Sequence, residues 1–539
     1  MGAWPFCPLV DHWFRARFGS ATPIQTLAWP VVAGGEDALI SSDTGSGKSL
    51  AAWLPLIDDL LRRPRTGRLR ILYVSPLRAL SRDMSSGLGD CLDGLSRAAA
   101  ERLEPMPELR VAVRTGDTSS SERAAQRRSP PDILLTTPES LFVLLGSRNG
   151  RALLADVEKV IVDEVHALID SKRGAHLSLS LERLEVLTGR PLQRIGLSAT
   201  ARPRRLVAGF LAGAGRPCRV IASPRQRPPE VILEVPDVPL GHFAHAGHWS
   251  FIRERLQSLA AVPGTMLVFC NTRSMVERVT AILCELLEPS VVAAHHGSIG
   301  RQRRQSVEAG LRSGTIRVVV CSSSLELGID VGQLDRVCQL GACGSINVFR
   351  QRAGRARHRP GQRPRIHAFP LTLTDLLEFE AMQGTLEAGG LDRTAACTEP
   401  LDVLAQHLVA MVAGGETDSA CLFRMARKAF PWRRLARARL QKVLDMLHQG
   451  FVPGRETGLG PIFASGCGRL AASESAQKRC LLNGGTIPEW FEYDVVTVDS
   501  GRVLGRLDEE FAFESSPGQI LQLGGQSWRI VRIMTGQVM

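Results

Sequence analysis

Lysine is nearly missing from this chain. Only six lysines stand among its 66 basic residues, so almost every positive charge is an arginine. A GC-rich coding bias accounts for arginine over lysine. It does not account for 66 basic residues against 54 acidic ones, a formal net charge of +12. That excess favours a polyanionic partner. Long apolar runs are also missing. None approaches the ~20 residues of a bilayer-spanning helix, so no membrane span is expected. Met1 to Pro8 carries no basic stretch ahead of an apolar one, so no secretory leader is expected either. The twelve cysteines form no C-x-x-C pair, and Cys338 and Cys343, the closest two, have no His or Cys nearby. They read as reduced cysteines of a cytoplasmic protein, without a metal centre. What remains is ordinary globular composition, 44% hydrophobic and 22% charged. At 539 residues it is enough for about three or four domains.

Against that background the lysine at position 48 stands out. It belongs to Ser42-Asp43-Thr44-Gly45-Ser46-Gly47-Lys48-Ser49, which follows the apolar run Ala38-Leu39-Ile40 and precedes a helical pattern through Leu50, Leu54 and Ile57. Strand, glycine-rich loop and helix in that order form a cradle for a nucleoside triphosphate. Glycine lets backbone N–H groups approach the phosphates, and the helix N-terminus adds partial positive charge. Lys48 reaches the β/γ-phosphates in such a loop, and the Ser49 hydroxyl binds Mg²⁺. Ser42 stands where the strict pattern has its first glycine. A second apolar run, Val160-Ile161-Val162, ends in Asp163-Glu164-Val165-His166. Asp163 suits the Mg²⁺ shell, and Glu164 suits polarisation of an attacking water.

Strands are expected at Ala38–Ser41, Ile71–Val74, Val111–Arg114, Ile133–Leu135, Val160–Val162 and Ile195–Leu197, separated by helical patterns. Most end in small or polar residues, as parallel strands of an α/β sheet do, and ligand chemistry gathers at those ends. The Pro- and Arg-rich stretch Arg216–Pro239 reads as a linker. A second βα series follows at Met266–Phe269, Val291–Ala294, Val318–Cys321, Val337–Leu340 and Ile366–Phe369, without a second phosphate-binding loop. From Leu401 the pattern is helical, with Leu401, Leu404, Leu408 and Met411 on one face. A basic stretch then runs from Arg424 to Lys442, interrupted by Phe430-Pro431-Trp432. Short strands are expected after Gly484, at Val495–Val498, Val503–Leu507, Ile520–Leu523 and Trp528–Ile533.

Two sheet units with one phosphate cradle suggest a motor that closes on ATP, the second unit supplying cations. Gln351-Arg352-Ala353-Gly354-Arg355-Ala356-Arg357-His358-Arg359 fits that role, since guanidinium groups stabilise a transferring phosphoryl. The alternative is a solvated arginine-rich loop.

In this order the motifs resemble those of superfamily 2 helicases. Thr22-Pro23-Ile24-Gln25 resembles the adenine-reading Q motif, Ser75 to Leu80 motif Ia, and Thr115-Gly116-Asp117 and Thr136-Thr137-Pro138-Glu139 motifs Ib and Ic. Ser198-Ala199-Thr200 resembles motif III. Phe269 to Arg273 resembles motif IV, and His295-His296-Gly297-Ser298 the nucleic-acid contact after it. Ser322 to Asp330 resembles motif V, and Gln351 to Arg359 motif VI. The Asp-Glu-Val-His form, Ser323-Ser324-Leu325-Glu326-Leu327-Gly328-Ile329-Asp330 and Gly354-Arg355-x-x-His358-Arg359 resemble the large helicase-related (Lhr) family in particular. So do Leu401 to Gln406, at the start of that family's winged-helix domain, and Gly485-Thr486-Ile487-Pro488 and Leu507 to Phe511, at the opening of the domain after it. Arg357 replaces a glycine usual in the family.

The resemblance implies an α/β fold with two tandem RecA-like parallel-sheet domains at 1–225 and 226–392. A winged-helix domain at 393–470 and the β-rich start of a further domain at 471–539 complete it. It implies ATP and Mg²⁺ as cofactors, held by Gln25, Thr44, Gly45, Ser46, Gly47, Lys48, Ser49, Gly328 and Asp330, with Ser49 and Asp163 on the metal. Lys48, Asp163, Glu164, Gln351, Arg355 and Arg359 are the implied catalytic set. Arg78, Thr137, Asn271, Ser298 and Ser324 are implied phosphate contacts on the nucleic acid. Trp432 is either a base-stacking platform or core, Gln25 either an adenine reader or a helix-start residue, and His166 either a coupling residue or a turn histidine. The implied activity is 3′ to 5′ translocation on single-stranded DNA, unwinding duplexes or RNA–DNA hybrids in DNA repair, in the cytoplasm at the nucleoid. An RNA helicase or remodeller, and a nucleic-acid-binding motor that has lost catalysis, are the other readings.

Overall fold

The computed structural model describes all residues except 1–3, 44, 64–65, 200–201, 224–227, 242–244, 327–333, 357–362, 416–417, 451–459, 465–468, 474–475, 477, 479, 481, 487–491, 509–517, 525 and 535–536. The chain divides into two compact units, each drawn from two stretches. One comprises Met1–Pro224 with Arg393–Ile487, the other Arg225–Asp392 with Pro488–Met539.

The first unit is built on seven parallel strands: β1 (Ala38–Ser41), β2 (Ile71–Val74), β3 (Val111–Arg114), β4 (Ile133–Thr136), β5 (Lys159–Val162), β6 (Gln193–Ser198) and β7 (Arg219–Ala222). Their spatial order is β3-β4-β2-β5-β6-β1-β7. Side chains alternate across a strand, so each strand feeds two cores. Ala38, Ile40, Ile71, Tyr73, Ile133, Leu135 and Ile161 pack on one face. Leu39, Leu72, Val74, Leu134, Val160 and Val162 pack on the other. Burial on both faces is why these strands read as continuous apolar runs. Register aligns the carboxyl ends: Ser41 lies opposite Ser198, and Val74 opposite Val162.

The remainder of this unit holds three helices, Leu401–Gly414, Ser419–Lys428 and Arg437–Gln449, and an antiparallel hairpin, Ile462–Ala464 with Leu470–Ala472. Leu404, Leu408 and Met411 are buried as expected, while Leu401 is exposed. They share a core with Leu422, Trp432, Leu440 and Leu444, and with Ala175 and Leu179 of helix Lys172–Thr188.

The second unit carries six parallel strands: β8 (Glu230–Leu233), β9 (Met266–Cys270), β10 (Val292–His295), β11 (Val318–Cys321), β12 (Arg336–Leu340) and β13 (Arg365–Phe369), in the order β10-β11-β9-β12-β13-β8. Its C-terminal stretch forms a four-stranded sheet and a separate hairpin, Ile520–Leu523 with Gln526–Arg529.

One expectation fails here. The stretch read as a linker, Arg216–Pro239, contains β7 and β8. Both are edge strands. β7 leaves Arg219 and Val220 exposed, and all four residues of β8 are only half-buried. Neither needs the apolar run that marks a central strand. Among the described residues no helix is long and apolar enough to cross a membrane.

Candidate functional site

After β1 the chain turns through Gly45 and Gly47, at φ +73° and +88°, into helix Lys48–Arg62. Glycine is required at position 47 twice over. Its φ is left-handed, and a Cβ there would stand 2.6 Å from Gln25 Nε2. Gln25 is buried and engaged at both ends. Its Oε1 accepts from Thr22 N at 2.9 Å, and its Nε2 donates to the Gly47 carbonyl at 3.3 Å. Thr22 Oγ1 donates to the Ser46 carbonyl at 3.0 Å. Gln25 thus closes the capping box of helix Pro23–Ala33 and braces the loop. Lys48 Nζ donates to the carbonyl of Ser42. Ser49 is exposed in the first turn of the helix, where unpaired N–H groups and the helix dipole favour an anion, and Gly45 is exposed in the loop before it. Thr44 lies outside the described residues.

Asp163 follows β5 directly and is buried. Its Oδ1 accepts from Glu164 N at 2.8 Å, and the hydroxyl of the fully buried Tyr73 donates to Oδ2. Burial, and then the negative charge of Glu164, push Asp163 up to about 6. Glu164 holds φ +45°, a strained value for a residue with a side chain. Its Oε2 lies 3.3 Å from His166 Nδ1, which is also 3.3 Å from Ser198 Oγ. Burial drives His166 down to about 4, so the ring is neutral at pH 7. A neutral imidazole carries one N–H, so Nδ1 either donates to the Glu164 carboxylate or accepts from the Ser198 hydroxyl. The oxygen-only set of an exposed Ser49 hydroxyl and a buried Asp163 carboxylate fits a hard divalent cation.

In the second unit, helix Ile346–Ala353 carries Gln351 and Arg352, both buried. Arg352 donates to Glu326 Oε2 at 2.8 Å and to Gln339 Oε1 at 2.8 Å. Arg355 is buried too, its Nη2 2.9 Å from the Glu326 carbonyl. Arg359, Gly328, Asp330 and Arg357 lie outside the described residues.

The expected nucleic-acid contacts fare unequally. Trp432 is fully buried in the helical core and offers no stacking face. Ser298 is 1% exposed, because the strand Val503–Asp508 lies on it. Arg506 N donates to the Ser298 carbonyl at 2.8 Å, and Gly300 N donates to the Leu504 carbonyl at 3.0 Å. Direct phosphate contact by Ser298 is thereby corrected. The sequence carried no sign of this cover, which comes from a segment some two hundred residues away. Thr137 is buried and caps helix Pro138–Gly146. Ser324 Oγ donates to the His295 carbonyl at 2.8 Å. Asn271 is exposed, with its Nδ2 on the Ala342 carbonyl at 2.6 Å. Arg78 opens helix Arg78–Glu101, and its side chain is outside the described set. Tyr73 was missed. The only signal was a phenol in an otherwise aliphatic strand.

Three family models match the chain: DEAD/DEAH box helicase over residues 22–207, helicase conserved C-terminal domain over 250–360, and large helicase-related protein, winged helix domain, over 384–539. The chain is 37% identical to the "Lhr helicase/ probable uracil glycosylase" of Mycolicibacterium smegmatis, over 99% of its own length. It is 37% identical to the "ATP-dependent helicase Lhr-Core" of Methanocaldococcus jannaschii, over 96%. Its fold is similar to that of the Mycobacterium smegmatis helicase Lhr bound to ssDNA and AMP-PNP. That match has a TM-score of 0.83 and 39% identity, and covers 96% of this chain and 66% of that one. The chain belongs to the large helicase-related family. It spans 38% of the bacterial family member's length and 61% of the archaeal one's. Within the family frame, the three helices and hairpin of residues 401–472 fall inside the winged-helix match, and β1 to β6 fall inside the DEAD/DEAH match.

Proposed function

We propose that this chain is an ATP-driven translocase on single-stranded DNA, moving 3′ to 5′ and unwinding duplexes or RNA–DNA hybrids. The observation that carries this is the meeting of Lys48, Asp163, Glu164, His166 and Ser198 at the aligned ends of β1, β5 and β6. Lys48 binds the β/γ-phosphates, and Glu164 orients the attacking water. The helix N-terminus after Gly47 takes the phosphate charge. Bound Mg²⁺, held by Ser49 and Asp163, would neutralise phosphate charge. Gln351, Arg355 and Arg359 are assigned to the γ-phosphate, with Gly328 and Asp330 on the nucleotide. Arg78, Thr137, Asn271 and Ser324 are assigned to the nucleic-acid backbone. Ser298 and Trp432 are left out of that set. A place at the nucleoid and a repair role belong to the same proposal, and the repair role draws on two relatives whose names join helicase to uracil glycosylase.

The test is ATP turnover with and without single-stranded DNA, in the unaltered chain, Lys48→Ala and Glu164→Gln. We expect DNA-stimulated turnover that both substitutions reduce by orders of magnitude, with Glu164→Gln still binding ATP. Wild-type turnover in either variant overturns the assignment. Stimulation by RNA but not by DNA of the same sequence moves the substrate to RNA through its 2′-OH.

A further inference from the structure

Parallel pairing of β10 and β11 sets His295 opposite Cys321, so the residues after β11 turn back over the end of β10. Ser322 N donates to the His295 carbonyl at 3.3 Å. Ser324, in the short turn Ser323–Leu325, brings its Oγ 2.8 Å from His295 Nδ1 and 2.8 Å from the same carbonyl. The other ring nitrogen, Nε2, lies 3.2 Å from Glu308 Oε1 on helix Arg301–Ser313. His295 and Glu308 are buried, and Ser324 is half-buried. A serine, a histidine and a carboxylate are thus joined in one line, all within the second unit. Hydrolase triads set Nε2 on the serine and Nδ1 on the acid. Here the ring stands the other way round, and the line is a hydrogen-bond relay rather than a nucleophile.

The protons in this line can be counted. A carbonyl and a carboxylate only accept, and the hydroxyl has one proton to give. With a neutral ring, Nε2–H donates to Glu308 and Nδ1 accepts the Ser324 proton. The hydroxyl then has no donor to offer a phosphate. With a charged ring, Nε2–H donates to Glu308 and Nδ1–H donates to Oγ. The Ser324 proton is then released to the carbonyl or to a phosphate oxygen. All three contacts of the line coexist only when it holds one proton more than a neutral ring and a carboxylate supply.

The groups around His295 set the balance. Burial pushes it below its ordinary value, Glu308 pulls it back up, and Arg304 and His296 push it down. Cys321 stays protonated, because burial holds its thiol well above the ordinary value. Helix Arg273–Leu286 presents Glu277, which His296 Nε2 engages at 2.7 Å. The free chain at neutral pH therefore favours the neutral ring. A phosphate brought to Ser324 reverses that preference. Its negative charge favours imidazolium, and only the charged ring frees the hydroxyl to donate.

We propose that His295 and Glu308 are positioning residues that set the direction of the Ser324 hydroxyl, and that seating a backbone phosphate on Ser324 takes up a proton at His295. This rests on the reading of Ser324 as a strand contact given above. Binding raises the His295 pKa, so affinity is weakest above the bound-state value. It rises as pH falls through that value and levels off below the free-state value. One proton gives at most about ten-fold per pH unit. The hydroxyl neutralises no phosphate, so affinity shifts with pH while the salt slope stays as the arginines set it.

Calorimetric titration of the full chain with oligo(dT), at neutral pH in two buffers of widely different ionisation enthalpy, counts the protons taken up per complex. His295→Asn keeps a hydrogen-bonding group near Nδ1 and does not titrate. Glu308→Gln keeps the shape and removes the charge, and Ser324→Ala removes the hydroxyl. Unfolding temperature is measured for each. We expect uptake of a measurable fraction of a proton by the unaltered chain, less in Glu308→Gln, and a loss of that fraction in His295→Asn. Equal uptake by the unaltered chain and His295→Asn overturns the proposal, and so does no uptake by the unaltered chain. Where His295→Asn does not fold, Glu308→Gln decides, and uptake equal to the unaltered chain's overturns the relay. Ser324→Ala is expected to bind several-fold more weakly and to lose the uptake. If it binds as tightly as the unaltered chain, the contact reading of Ser324 fails first and the relay with it. If it binds more weakly with uptake intact, the contact stands and the relay alone is overturned.

Discussion

Trp432 stands in a run of arginines, where an aromatic ring beside basic residues suggests base stacking. The short turn Phe430–Trp432 instead aims its ring inward, while Arg424, Arg427, Arg434 and Arg437 are exposed and Arg433 folds over Phe430. We expect Trp432→Ala to cost about 3–5 kcal/mol, as large-to-small core changes do. The check is the denaturant midpoint, followed through the helical segment. Reduced single-strand affinity at unchanged stability would restore the stacking role. The candidate catalytic residues are easier to locate, because the proposed chemistry demands fixed types at fixed local spacing. Lys48 and Asp163-Glu164 each announce themselves within a few residues. Tyr73 does not. Its hydroxyl meets Asp163 across 90 residues of sequence, and only strand pairing brings the two together.

Elements were legible in proportion to their burial. β1 to β6 are nearly all recoverable from apolar runs, with ends displaced by a residue or two. The edge strands β7 and β8 vanished into an apparent linker because one side of each stays wet. Contacts between distant elements left no trace at all, as with the strand over Ser298. Another such contact joins helix Lys172–Thr188 to helix Leu401–Gly414. There His176 and His407 meet with ring centroids 4.5 Å apart, against Phe142. Glu139, Arg173 and Arg183 are the charged groups that face His176. Burial pushes His176 down to about 4 and His407 well below its ordinary value. The unfolded chain takes up these protons near pH 6.5, and the folded chain resists them. Stability is therefore full above pH 6.5 and is lost as pH falls from there towards 4, by on the order of 3 kcal/mol for the His176 shift alone. Urea midpoints measured from pH 7.5 to 4 check this. His176→Phe is expected to flatten the acid limb relative to the unaltered chain. An identical pH slope in the variant would remove the pair from the account.

For the whole molecule the governing quantity is charge. A formal +12, carried almost entirely by arginine, sets a field that draws in a polyanion before any contact forms. The residues proposed for the nucleic acid, Arg78, Thr137, Asn271 and Ser324, would address its backbone, and backbone contacts carry no base information. Affinity should therefore come mainly from counterion release. Each neutralised phosphate of a single strand contributes about −0.7 to the slope of log affinity against log salt. Arginine keeps its charge at any working pH, so the slope should be insensitive to pH as well. Fluorescence anisotropy with homopolymer and mixed-sequence single strands, titrated with salt at two pH values, measures all three properties. We expect a steep linear fall, nearly the same for every sequence. A flat salt curve would place the binding energy in apolar or stacking contacts instead. A strong preference for one sequence would require base readout that none of these residues supplies, and either result would count against a translocase that must step along any strand it meets.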